Sequence, residues 1–89
     1  MGYSIDEFAR AFPLAMRDFR LERVSEGWSV STIRGEPVAR VVISPQPPRR
    51  IGALALPVLE VSVGLAETDS RQASLFMHRF DTGLHRGGG

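Results

Sequence analysis

The chain has 89 residues, a formal net charge of +1, eleven arginines, no lysine and no cysteine. These absences exclude Schiff-base and phosphate-loop lysine chemistry, thiolate nucleophiles, zinc knuckles and disulfides. A charge so close to zero gives no broad pull toward nucleic acid.

A chain of this length forms one domain, with a modest core that needs no covalent staple. The lack of lysine and asparagine together points to a GC-rich bacterial gene. The first ten residues carry Asp6 and Glu7 where a secretory leader would carry positive charge. The apolar stretch 51–65 is broken by Gly52, Pro57, Glu60, Ser62 and Gly64, too short and too interrupted to span a bilayer. The sequence therefore reads as a soluble, cytoplasmic protein.

Ser4-Ile5-Asp6-Glu7 has the capping-box pattern that opens a helix. Ile5, Phe8, Ala9 and Phe12 follow at helical spacing, and Met16 and Phe19 continue the stripe. Pro13 interrupts it, which predicts either a kink or a split after Phe12. Residues 20–24 and 28–33 flank Ser25-Glu26-Gly27, a hairpin loop with glycine available for a positive φ. A second turn is expected at Arg34-Gly35-Glu36, then a β-branched strand over 38–44. The proline-rich segment 45–50 reads as a stiff extended loop, because proline cannot donate to a ladder. Residues 51–56 form another apolar run. Leu59, Val61, Val63 and Leu65 alternate with Glu60, Ser62 and Gly64, which marks a strand with one buried face.

Asp69, with Gln72 three residues on, predicts the cap of a second helix. Ala73, Phe76, Met77, Phe80 and Leu84 form its apolar stripe, and Gly83 sits at the expected C-cap. The order of elements predicts an α+β fold. Three or four antiparallel strands form one sheet, with an N-terminal and a C-terminal helix packed on one face. Phe8, Phe12, Phe76 and Phe80 are the expected helical core residues, facing Leu59, Val61 and Val63. Residues 1–84 are the expected domain and 85–89 a flexible glycine-rich tail.

Candidate chemistry is sparse. Arg49 and Arg50 follow Pro45-Gln46-Pro47-Pro48, which is formally a Pro-x-x-Pro-x-Arg pattern. The segment reads first as a rigid connector. Its two guanidinium groups also suit an anion or a partner protein. His78, Asp81 and His85 are spaced for a metal on an unbroken helix, but Gly83 interrupts them, so no metal site is expected. Trp28 reads as a packing residue. No pair of carboxylates, no serine elbow and no glycine fingerprint marks a catalytic centre. The Gly87-Gly88-Gly89 ending is similar to that of ubiquitin-like sulfur carriers, whose terminal glycine is activated as an adenylate or thiocarboxylate. The similarity covers only those residues, and those carriers open with a β-hairpin rather than a helix.

The sequence therefore favours a protein-interaction or accessory module without catalysis, cofactor or metal. It would bind a protein, including a second copy of itself through an exposed strand edge. The alternative is a domain that binds a nucleotide or phosphorylated metabolite through Arg49 and Arg50. The glycine-tailed carrier comes third, and neither membrane nor nucleic acid is an expected partner.

Overall fold

The computed structural model describes residues 2–67 and 69–84. The elements run α1 (Ile5–Ala15), β1 (Arg20–Val24), β2 (Gly27–Ser31), β3 (Pro37–Ile51), β4 (Leu54–Leu65) and α2 (Ser70–Gly83). The four strands form one antiparallel sheet in the order β1-β2-β3-β4, so the fold is α+β. None of its described helices is long and apolar enough to cross a membrane.

The capping box forms. Ser4 Oγ accepts from the Glu7 amide at 3.2 Å, and Glu7 Oε1 accepts from the Ser4 amide at 3.1 Å. Two donors that the first turn would leave orphaned are thereby satisfied. The helix neither splits nor stops at Pro13, which is exposed, and continues to Ala15. Phe8 and Phe12 are fully buried on its inner face, and Met16 and Phe19 carry the apolar stripe past the helix end into the core. Asp69 Oδ1 accepts from the Gln72 amide at 3.0 Å and caps α2.

Both helices cover the same sheet face. Trp28 on β2 lies opposite Val41 on β3, which lies opposite Val63 on β4. Phe8 and Phe12 pack at a tilt against Trp28, with ring centroids 5.4 and 4.8 Å away. Arg23, directly across from Trp28 on β1, holds its guanidinium 4.2 Å from the ring centroid, a cation–π contact. Phe76 of α2 meets Phe19 edge-on at 6.1 Å. The helices touch at Gly83, where an added Cβ would stand 2.4 Å from the Ala15 Cβ. Tyr3 donates its hydroxyl to the Leu84 carbonyl at 3.3 Å, tying the N-terminal segment to the end of α2. Arg79 Nε lies 2.6 Å from Asp18 Oδ2, at contact distance but without hydrogen-bond alignment. Both side chains are more than a third exposed, so this pair contributes at most about 1 kcal/mol.

Three expectations need correction. The segment 45–50 is not a loop, because β3 runs through it as a strand paired with β4. Within the apolar run 51–56, Gly52, at φ +61°, and Ala53 form a two-residue turn, and β4 continues through Pro57. Gly27 belongs to a strand rather than a turn, and its φ is not positive. It is glycine because a Cβ there would lie 1.8 Å from the Val41 carbonyl oxygen. Phe80 is only partly buried, whereas Phe76 is fully buried and carries the α2 contact. Gly35, at φ +92°, makes the expected turn, with its amide donating to Thr32.

Candidate interaction surface

Strand phase explains why prolines fit in this sheet. The Ala66 amide donates to the Val38 carbonyl, so the even-numbered residues of β4 turn their backbone polar groups toward β3. The odd-numbered residues, Pro57 among them, turn theirs to the outside. Pro57 therefore lacks an N–H where no ladder bond needs one. The Ile43 amide donates to Glu26, so the odd-numbered residues of β3 face the β2 side. Pro45 is one of these, and it lies past the end of β2. At Pro47 and Pro48 the pairing slips by one residue, between Gln46 and Arg49, and then resumes. That slip is a β-bulge, which absorbs the missing donors.

The consequence is a two-stranded arm. Beyond Ile43, β3 pairs only with β4. Fifteen residues of β3 span roughly 50 Å at about 3.3 Å each, and the molecule is 48 Å along its longest axis. Its radius of gyration is 13.9 Å, against about 12 Å for a compact chain of this length.

Alternation and register sort the arm's side chains. Ile51 lies opposite Leu54 and Arg49 opposite Leu56, so these four share one face. Arg50 and Ala55, opposite each other, share the other face. Ile51, Leu54 and Leu56 are 53%, 64% and 44% exposed. A ribbon of two strands has no layer of its own to bury them, and an isolated hairpin is only marginally stable in water. Burying the exposed part of each would contribute on the order of 1 kcal/mol. At the base of the arm, Tyr3, Ile5, Pro45, Pro48, Pro57 and Leu59 border an open groove of about 410 Å³.

The other candidates are placed as follows. Arg49 and Arg50 are both exposed, but strand alternation sends them to opposite faces of the arm, so they do not converge as a loop would allow. His78 and Asp81 are exposed on α2, and His85 and the 85–89 tail lie outside the described residues. Among the described residues no three His, Cys, Asp or Glu side chains are grouped to hold a metal ion. Trp28 is buried beneath α1. The cleft between the helix C-termini is lined by Arg17 and Arg79, but Arg79 is already engaged with Asp18. The apolar face of the arm could be missed in the sequence because it is split between two strands. Only the Gly52-Ala53 turn brings Ile51 beside Leu54.

No family model matches the chain, and neither the curated proteins nor the solved structures include a match to it.

Proposed function

We propose that the protein is a non-catalytic protein-interaction module that uses the β3–β4 arm to hold a partner protein. One observation carries this reading: Ile51, Leu54 and Leu56 are exposed together on one face of a ribbon that projects from the body. Grouped exposed apolar residues mark contact sites, whereas scattered ones do not. Arg49 beside them supplies a rim charge suited to steering a partner into register. The fitting partner presents an apolar groove or a sheet edge. The prolines and the bulge stiffen the base of the arm, so little ordering entropy is lost on docking.

The first test is whether these leucines are free of any structural duty. In the isolated protein, the amides of 49–56 should exchange far faster than those of β2. Leu54→Ser/Leu56→Ser should leave the melting temperature within about 2 °C of the parent, as for other surface changes. Core-level protection of the arm, or a drop of about 8 °C or more, would mean that the leucines hold the fold together.

A second reading is an anion ligand at Arg49 or at Arg50, each contacting it singly from its own face of the arm. It is favoured by both side chains being exposed with no carboxylate paired to either among the described residues. Phosphate titration followed by NMR would support it through salt-sensitive shifts at 49–50 that vanish in Arg49→Ala/Arg50→Ala.

A further inference from the structure

The outer edge of β4 is self-complementary. β4 is the last strand of the sheet. Its odd-numbered residues, including Val61 and Val63, direct their N–H and C=O groups away from β3. Sheet edges are ordinarily blunted by lysine, proline, a bulge or a covering element. Over 60–65 this edge has no proline, one charge and three β-branched or leucine positions on its inward face, Val61, Val63 and Leu65. On the open face of the sheet, Arg40 lies opposite Gly64 and Ser44 opposite Glu60. Arg40 and Glu60 are exposed, and neither has an ion-pair partner among the described residues. Gly64 leaves a gap between Arg40 and the edge, with no atom within 4 Å of where its Cβ would stand.

We propose that β4 pairs antiparallel with β4 of a second copy, about a two-fold axis at Ser62, to form a continuous eight-stranded sheet. This inference stands apart from the arm and does not depend on it. Ladder phase requires outward-facing residues to meet outward-facing residues. The axis must therefore fall on a residue rather than between two.

Charge then selects which residue. An axis at Glu60 sets like charges directly against each other, which is destabilising. An axis at Val61 places Glu60 opposite Ser62, and one at Val63 places it opposite Ala66, with no cation beyond either. Only the axis at Ser62 sets Glu60 of each copy against Gly64 of the other, with Arg40 one strand further on. Glu60 and Arg40 are then about 10 Å apart between Cα atoms, two strand spacings. The intervening residue has no side chain, so a guanidinium and a carboxylate extended toward each other can meet above it. Two such pairs form, related by the axis. On the other face, Val61 of each copy comes alongside Val63 of the other, and all four are only partly buried in the single chain.

Analytical ultracentrifugation of the full chain over a hundredfold concentration range tests this, with three edge variants and Leu54→Ser/Leu56→Ser alongside. The parent should sediment as a two-chain species. Glu60→Arg, which sets like charges across the axis, should weaken association at least about tenfold. Arg40→Glu/Glu60→Arg should restore it, because the pairing is rebuilt with reversed signs.

Gly64→Glu separates folding from pairing. Its carboxylate lies opposite Arg40 in its own chain, so the melting temperature, taken at a concentration where the chain is single, should hold or rise. In the dimer it lies against Glu60 of the second copy, so association should fall. A parent that sediments as a single chain throughout overturns the proposal. So does a dimer indifferent to all three variants, or one lost only in Leu54→Ser/Leu56→Ser. That last result would assign the contact to the arm and leave the arm reading standing.

Discussion

Gly27→Ala adds one methyl group and should remove about half of the protein's stability. Gly27 is buried at the start of β2, opposite Val42. The new Cβ would stand 1.8 Å from the Val41 carbonyl oxygen and 2.8 Å from its carbon. Both are backbone atoms, so no side chain can rotate away. Reaching even 3.0 Å requires β3 to retreat by about 1.2 Å (3.0 minus 1.8). The Ile43-to-Glu26 hydrogen bond beside it is 2.8 Å long, and a stretch of that size breaks it. Losing about two ladder bonds at ~1 kcal/mol each, together with ~1–3 kcal/mol of overpacking strain, totals roughly 3–5 kcal/mol. The lower chain entropy of alanine returns about 0.5–1 kcal/mol. The net loss is about 3 kcal/mol, against a total of roughly 5–10 kcal/mol for a small domain. Urea and thermal melts followed by far-UV circular dichroism would read it as a drop of roughly 15 °C. Gly64→Ala, with nothing within 4 Å, is the matched control and, melted at a concentration where the chain is single, should be neutral or slightly stabilising. A loss below about 1 kcal/mol for Gly27→Ala, or an equal loss for Gly64→Ala, would refute the close spacing of β2 and β3.

Phe76→Ala should cost about 3–5 kcal/mol, as for a fully buried aromatic, and Phe80→Ala roughly half of that because Phe80 is only partly buried; chemical denaturation of both variants checks the order. Ser4→Ala should lose about 1 kcal/mol by opening the capping box, and Asp69→Ala a similar or smaller amount at its exposed cap. Both losses should appear as lower urea midpoints at unchanged slope.

The helices were legible because their signals are local. Ser4 with Glu7, Asp69 with Gln72, and the phenylalanines at three- and four-residue spacing each lie within a few turns of one another. The alternation from Leu59 to Leu65 gave the inner half of β4 for the same reason. The arm was not legible, because the rule that proline breaks a strand depends on which way each residue's N–H points. That direction is set by pairing partners far away in sequence, here Val38 with Ala66 and Glu26 with Ile43. Gly27 misled in a similar way. A glycine beside a polar pair suggests a turn, whereas this one answers to the Val41 carbonyl of a neighbouring strand. The apolar face of the arm emerges only once the proline rule is corrected, since it needs β3 and β4 to be continuous through their prolines.

A photo-crosslinking scan along the arm in living cells, with the reactive group placed in turn at 50, 51, 54, 55 and 56, tests the central claim most directly. Register places Ile51, Leu54 and Leu56 on one face and Arg50 and Ala55 on the other. Adducts to protein should form from 51, 54 and 56 and be scarce from 50 and 55. Equal yields from both faces, or none from any position, would contradict the assignment of this arm as a binding surface.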